Sequence, residues 1–550
     1  MDYVANLLPG LSNRRLVVIL EHEPNALYFK YLWAIILRAQ FQKSDVTIID
    51  CDWDYHRYSK SNHDSKREEP ISKLRDKFID LVKLYTQDRV CIVKVNADQV
   101  KVPKDNIKNI KTLADADKFN SQLGNSIRSV FAMNYLAASN ITLKGRRMKK
   151  EFKRCIQSFL SIQMLCERVF ESNLYDSVLI ANGRFPSQAA ARTTAEKYLL
   201  NLFFYEHGLP MGERFHFAPF QTQEFVRMQQ FIKSQIQENI KISQEEIISF
   251  ADDWLSRQTS DLKQNPFITN ENCALEAFEW LNEKPLAVLF TSSIDERFSN
   301  LGVELNGWTS QKQATLEIVA KLKKEGFEVL VRIHPNTANK AWWDLINTVQ
   351  HLESAEISYI LPWSAPSSYV LLNEASLVLT WGSTISMEAI ARGIPTVVYG
   401  RTMHDELSGA VILDPSCLES INFKQIARPN PTLGKIAIYF DKHWGYEVKD
   451  YCNTKEINLI DLTLGFPLKY PNKHEIKVGG ESKFYMLRRN FTEVLILLRR
   501  LRKGRYSTPN DFRRFVAKIV SPRASDILAD YVVRLCLKLK ILINDGEISV

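Results

Sequence analysis

Two series of short apolar runs, each run followed by a helical pattern, constrain the fold of this chain more than any other feature. The first series begins with the run Arg15–Leu20 and the second with the run Leu286–Phe290. Short apolar runs that alternate with helices are typical of parallel strands joined by crossover helices, because both faces of such a sheet are covered. The sequence therefore predicts two α/β units, each with a mainly parallel sheet.

The organisation of the chain follows from where these runs lie. The expected strands are residues 15–20, 46–50, 90–95, 177–181 and 202–205 in the first series, and 286–290, 328–333, 357–361, 377–380 and 396–399 in the second. Residues 221–282 look helical throughout. We predict a Rossmann-like unit in residues 1–220, a helical bridge in 221–282, a second Rossmann-like unit in 283–435, and a mainly helical, basic extension in 436–550.

Composition excludes several classes of protein. The eight cysteines form no CxxC pair and no Cys/His cluster, which argues against a structural zinc site and a disulfide framework and favours a reduced, cytoplasmic setting. No apolar stretch approaches the roughly 18 residues of a membrane span. The net charge of +9 is a mild excess that suits an anionic substrate or membrane surface, and no nucleic-acid partner is predicted.

The strongest motif follows the run 377–381. Gly382 permits a tight turn, and Ser383 and Thr384 place hydroxyls and amides at the start of the next helix. A helix N-terminus favours phosphate, and Glu388, about one turn further, is placed to accept a hydrogen bond from a ribose hydroxyl. An ordinary N-cap serine with an acid in the first turn is the alternative.

A histidine and a proline, His334 and Pro335, end the run 328–333. Proline restricts the local backbone, so the imidazole is expected at the carboxyl end of this strand, where it can donate to a departing phosphate. A capping or core histidine is the alternative.

The segment after the first strand of the second series is rich in hydroxyls and acids. Ser292 and Ser293 are predicted to bind the same ligand. One of the adjacent carboxylates Asp295 and Glu296 is predicted to act as general base or nucleophile, and Asp295 is the better candidate. A surface loop with a capping acid is the alternative.

Polar residues also follow two strands of the first series. Asn182 and Arg184 come directly after one strand and Glu206 ends the next, so these side chains are expected at one sheet edge. Glu206 is a candidate acid or base, and Arg184 with Asn182 a candidate site for an anionic substrate. A structural pairing of Arg184 with Glu206 is the alternative.

Residues 484–506 combine basic residues with apolar residues at helical spacing. They indicate either a helix packed on the body with a solvated basic face, or a helix that contacts an anionic membrane surface.

Taken together, His334-Pro335, Gly382-Ser383-Thr384 with Glu388, and Asn182-Gly183-Arg184 with Glu206 resemble GT-B glycosyltransferases of bacterial capsule and surface-polysaccharide assembly, particularly the Kdo transferases and more loosely sialyltransferases. The resemblance implies two facing Rossmann-like domains, no metal or other cofactor, and a nucleotide sugar on the C-terminal domain. His334 would contact the donor phosphate, Ser383 with Thr384 the nucleotide, and Asp295 and Glu206 would carry the proton or covalent step.

The expected function is transfer of a sugar from a nucleotide-activated donor, with a CMP-linked Kdo-like or sialic-acid-like sugar as one option, to a cell-surface glycan or lipid-linked acceptor. The expected place is the cytoplasm, with peripheral membrane contact through 484–506 left open. Three alternatives remain: a CDP-glycerol-type polyol phosphotransferase, a sugar-nucleotide 2-epimerase, and a non-catalytic capsule assembly or export partner.

Overall fold

The computed structural model describes residues 8–20, 26–52, 71–87, 89–96, 102, 109–133, 146–172, 174–222, 224–238, 242–260, 284–292, 306–335, 337, 342–362 and 367–464. Among these residues, the chain forms two sheets, one of seven strands and one of six.

The first sheet is parallel except at one edge. Its strands are β1 (Arg15–Leu20), β2 (Asp45–Asp52), β3 (Val90–Asn96), β4 (Ser177–Ala181), β5 (Asn201–His207), β6 (Arg214–Ala218) and β13 (Tyr446–Glu447), in the order β13-β6-β5-β4-β1-β2-β3. The helices of this unit are α1 (Ala26–Phe41), α2 (Ile71–Thr86), α3 (Leu113–Phe119), α4 (Ser121–Met133), α5 (Arg146–Glu171) and α6 (Pro186–Lys197). Strand β6 pairs antiparallel with β5 and with β13.

The second sheet has parallel pairings throughout. Its strands are β7 (Leu286–Phe290), β8 (Glu328–Arg332), β9 (Ser358–Ile360), β10 (Leu377–Trp381), β11 (Thr396–Gly400) and β12 (Val411–Ile412), in the order β12-β11-β10-β7-β8-β9. Its helices are α9 (Gln311–Lys324), α10 (Trp342–Ser354), α11 (Ser368–Glu374), α12 (Ile385–Ala391) and α13 (Asp405–Ser408).

Burial explains why the strand runs are apolar without alternation. Every residue of β4, β7, β10 and β11 is buried. Helices cover both faces of each sheet, so an apolar side chain on either face is removed from water. This burial stabilises the fold by about 25 cal/mol per Å² of apolar surface.

In both sheets the strand order reverses in the doubly wound manner, between β1 and β4 and between β7 and β10. The predicted α/β class with two Rossmann-like units is confirmed.

The segment between the units is less uniform than its sequence suggests. Helices α7 (Phe225–Glu238) and α8 (Gln244–Ser260) lie in it, but Ile242 and Ser243 between them are not helical. The prediction of helix throughout 221–282 is therefore wrong at that position. Ser243 caps α8 instead, because its Oγ accepts from the backbone N–H of Glu246 at 3.2 Å and breaks the continuity of the helix.

The chain returns from the second unit to the first. Helix α14 (Pro431–Lys442) packs on α8 and α12, and β13 then adds an edge strand to the first sheet. Helix α15 (Thr454–Leu464) follows and packs on α1 and α2, where Lys30 Nζ lies 2.7 Å from Asp461 Oδ1. Residues 446–464, which the sequence places in a C-terminal extension, thus complete the first unit. The basic segment 484–506 lies outside the described residues.

Candidate active site

The carboxyl ends of β10, β7 and β8 lie side by side, because these parallel strands are neighbours in the second sheet. In a doubly wound sheet, ligands bind beyond the carboxyl ends of the strands where the strand order reverses. That position is between β7 and β10 here. The segments that follow β10, β7 and β8 are the ones in which the sequence predicts the donor site.

The loop after β8 is hydrogen-bonded to the loop after β7. The backbone N–H of His334 donates to Thr291 Oγ1 at 2.9 Å, and the backbone N–H of Thr291 donates to the carbonyl oxygen of Arg332 at 3.1 Å. His334 and Pro335 are half-buried. The structure therefore brings the predicted imidazole to the same edge as the predicted hydroxyl-rich loop.

The hydroxyl-rich loop is described only at its start. Ser292 follows Thr291 and is half-buried. Ser293 and Asp295 lie outside the described residues, so their predicted roles stay predictions.

The loop after β10 turns as the sequence predicts but uses its amides internally. Gly382 has a φ of 54°, a conformation that favours glycine. The backbone N–H of Ile385 donates to Ser383 Oγ at 3.4 Å, and that of Ser386 donates to the Ser383 carbonyl at 3.2 Å. Thr384 is exposed, and within the described chain its hydroxyl does not cap the helix. This loop therefore presents hydroxyls more than first-turn amides.

Glu388 lies in the helix after this loop and is buried. Burial raises its pKa from the ordinary 4.5 to about 7, against the opposing effect of Lys442 and Arg392. The hydroxyl of Tyr369 is hydrogen-bonded to this carboxyl group, and burial together with Glu388 raises the pKa of Tyr369. The second carboxyl oxygen, Oε2, is buried and has no hydrogen-bond partner among the described residues. Glu388 thus keeps an acceptor for a further donor.

A charged group that the sequence motifs did not indicate follows β11 at the same sheet edge. Asp405 is fully buried and accepts from Arg401 Nε at 2.7 Å and from Gln229 Nε2 of α7. His404 Nε2 lies 3.6 Å from Asp441 Oδ1 of α14, and burial lowers the pKa of His404 although Asp441 opposes this. The sequence could have indicated this group, because the segment directly follows β11, the strand next to β10.

In the first unit, the predicted residues meet at the carboxyl ends of β4 and β5. Asn182 Nδ2 donates to Glu206 Oε1 at 2.6 Å, and Arg184 donates from Nη2 to the same oxygen at 3.3 Å. Arg184 Nε donates to Asn182 Oδ1 at 2.7 Å, and Thr222 donates to Glu206 Oε2. The pairing of Arg184 with Glu206, left open by the sequence, is therefore present in the structure.

Within the described residues, no group of three or more His, Cys, Asp or Glu side chains is arranged to hold a metal ion. None of the described helices is both long and apolar enough to span a bilayer.

No protein-family model matches this chain, and no curated protein matches it. Solved structures do match at low similarity. The β-Kdo 2,4 transferase KpsC of Thermosulfurimonas dismutans is 12% identical over 53% of this chain and 88% of its own, with a TM-score of 0.29. A UDP-GlcNAc 2-epimerase of Methanocaldococcus jannaschii, solved with UDP-GlcNAc and UDP, is 16% identical over 82% and 99%, with a TM-score of 0.23. A glycosyltransferase of Rickettsia africae is 10% identical over 82% and 99%, with a TM-score of 0.24. Since these TM-scores are low, the function is inferred from the chain's own residues.

Proposed function

We propose that this chain is a glycosyltransferase that takes a sugar from a nucleotide-activated donor held at the carboxyl edge of the second sheet. The observation that supports this most is the hydrogen bond between the loops after β7 and β8, His334 N–H to Thr291 Oγ1, beside the turn Gly382-Ser383-Thr384. One edge thereby carries an imidazole, hydroxyls and a buried carboxyl group. The imidazole and the hydroxyls can donate hydrogen bonds to phosphate oxygens, and the carboxyl group can accept one from a ribose hydroxyl.

The chemistry assigned to this edge is stabilisation of the leaving group. In the transfer, an acceptor oxygen bonds to the anomeric carbon, and the bond from that carbon to the phosphate oxygen breaks, leaving its electron pair on the phosphate. Donors aimed at the developing charge stabilise the transition state more than the ground state. His334, Ser383 and Thr384 supply those donors. Ser292 and Pro335, both half-buried and in the loops after β7 and β8, are also assigned to donor binding.

Glu388 is assigned to the nucleoside. Its buried Oε2 has no hydrogen-bond partner among the described residues, and a ribose hydroxyl is proposed as its donor. Tyr369 fixes the carboxyl group by its own hydrogen bond, so the remaining oxygen is directed. A ligand that lacks the ribose hydroxyl would leave Glu388 Oε2 without a hydrogen bond, which costs about 1–3 kcal/mol.

The finer parts of the proposal concern the donor, the acceptor and the place of action. A CMP-linked Kdo-like or sialic-acid-like sugar is the proposed donor, and a surface polysaccharide or lipid-linked glycan the proposed acceptor. Asp295 is proposed for the proton or covalent step, and the proposed setting is the cytoplasm with peripheral membrane contact. The net charge of +9 suits such anionic substrates.

The first experiment is a thermal-shift screen with CMP-, UDP-, GDP- and CDP-linked compounds. A donor at about 100 times its Kd stabilises the folded state by about 2.7 kcal/mol, which raises Tm by roughly 5–10 °C for a unit of this size. The product is then identified with that donor and candidate acceptors. Transferred sugar supports the proposal, whereas transferred polyol phosphate, an epimerised donor or no turnover contradicts it.

The second experiment tests the site. His334→Ala should lower kcat by about 10²–10³, because one donor to the leaving phosphate is removed. His351→Ala is the matched control, since His351 is a partly buried histidine on α10 and not at this edge. Equal loss in both variants, or no loss in His334→Ala, contradicts the assigned site.

A further inference from the structure

Glu206 is held too firmly and too deeply to meet a substrate. Its side chain is 5% exposed. Asn182 and Arg184 occupy Oε1, and Thr222 donates to Oε2. Burial by itself would raise the pKa of Glu206, but Arg184, His207 and Thr222 outweigh it and hold the pKa below the usual range. At neutral pH this carboxylate is therefore charged and already satisfied.

His207, the last residue of β5, occupies the accessible position beside it. Its side chain is 34% exposed, and its Nδ1 lies 3.8 Å from Glu206 Oε1, within ion-pair range. The ring of Tyr28 on α1 packs edge-on against the imidazole, with the ring centroids 6.5 Å apart. One ring nitrogen thus faces a fixed carboxylate while about a third of the side chain remains accessible.

We propose that His207, in place of Asp295, accepts the proton of the acceptor hydroxyl, and that Glu206 is a positioning residue for His207 and Arg184. The inference rests on the proposed glycosyl transfer. In the step, the acceptor oxygen forms its bond to the anomeric carbon and gives its proton to the imidazole. The donor's bond to phosphate breaks, and the nucleotide leaves with the electron pair. The charge of Glu206 stabilises the imidazolium that forms.

The charged neighbours of His207 come from several elements. Glu206 lies on its own strand and Arg184 follows β4, while the neutral ring of Tyr28 comes from α1. On the adjacent strand β6, His216 is buried, and its pKa is lowered by that burial. Arg214 of β6 pairs with Glu447 of β13 at 2.6 Å, so its charge is compensated. Glu206 is consequently the carboxylate that the structure places against this imidazole.

Part of this arrangement depends on the backbone of the loop after β4. Asn182 has a φ of 56°, which asparagine tolerates better than most residues. This conformation lets one side chain donate to Glu206 through Nδ2 and accept from Arg184 through Oδ1. The carboxylate and the guanidinium are thereby fixed together, and the partly exposed imidazole is left as the group of this edge that exchanges protons.

The test is the pH dependence of kcat/KM for sugar transfer by the full chain, with the donor found in the screen. The wild type should lose activity at acid pH, because a protonated imidazole accepts no proton. His207→Gln should lower kcat/KM by about 10²–10⁴ and abolish this acid limb. Glu206→Gln should lower kcat while leaving the KM for the donor unchanged, because the carboxylate that holds His207 and Arg184 in place is lost. His351→Gln, again on α10, should leave both the rate and the limb unchanged.

Donor binding to each variant, measured by thermal shift, separates a chemical loss from a loss of folding. The inference requires His207→Gln and Glu206→Gln to bind donor as the wild type does, because the donor edge is on the other sheet. A His207→Gln enzyme with the wild-type rate and acid limb overturns it while leaving the proposed function intact. A wild-type chain that neither binds a donor nor transfers sugar overturns both.

Discussion

Replacing Glu388 by glutamine should change how the stability of this protein depends on pH. Burial raises the pKa of Glu388 from 4.5 to about 7, although Lys442 and Arg392 oppose the shift. Because the folded-state pKa is above the unfolded one, the protonated group favours folding. Its contribution is fully present below pH 4.5 and is lost as the pH rises through 7.

The magnitude follows from the size of the shift. A change from 4.5 to about 7 corresponds to about 3 kcal/mol, at ~1.4 kcal/mol per pH unit. Glu388 is only 4% exposed, so solvent screening reduces this little. The wild type should lose about 3 kcal/mol of unfolding free energy between pH 4.5 and 8 that Glu388→Gln does not lose.

Urea titrations of both proteins at several pH values measure this difference. The glutamine amide adds donors without partners, which changes the unfolding free energy by the same amount at every pH. The result is therefore read from how the unfolding free energy changes with pH. Glu374→Gln, an exposed acid at the end of α11, should follow the wild type at every pH. If the difference in unfolding free energy between the wild type and Glu388→Gln is the same at pH 4.5 and pH 8, the pKa of Glu388 is not raised in the folded state. That result would refute the reasoning.

Two further predictions concern packing. Asp461→Asn should destabilise the chain by about 3–5 kcal/mol, because it breaks a buried pair with Lys30, and the double variant Lys30→Met with Asp461→Leu should recover most of this loss in the same urea titrations. A single variant that unfolds like the wild type would contradict the buried pair. Gly434→Ala should cost about 1–3 kcal/mol, because an added Cβ would lie 2.7 Å from the Met387 carbonyl where α12 and α14 cross. The exposed neighbour Leu433 provides the control, since Leu433→Ala should shift Tm by much less.

The parallel strands were predictable because burial on both faces leaves an unbroken apolar run. Strands 286–290 and 377–381 are such runs, and their carboxyl ends then had to share an edge. Strand β6 (Arg214–Ala218) was missed, since it is only five residues long and its apolar residues are interrupted by His216, which is buried in the structure. Strand β13 is only two residues long and pairs across more than two hundred positions of chain, which no local pattern encodes.

The candidate site was also predictable only in part. The sequence alone places His334, Ser383 and Glu206 at sheet edges, because each lies at or just after the end of a predicted strand. The burial of Glu388 depends on α14, which lies about fifty residues further along the chain, and the accessibility of His207 depends on how Asn182 and its neighbours enclose Glu206. Residue type and spacing indicate which groups meet, whereas packing decides which of them remains open to a substrate.

The return of the chain to its first sheet also sets an order for synthesis. Lys30 and Asp461 are 431 positions apart, so the ribosome must finish the whole second unit before the first can be completed. Until then β6 is an uncovered edge strand, and Lys30 lacks its partner carboxylate. Contacts between residues so far apart in sequence are also slow to form. A fragment that ends before β13 is therefore an unfinished half of the protein, and both units should be produced together in one polypeptide.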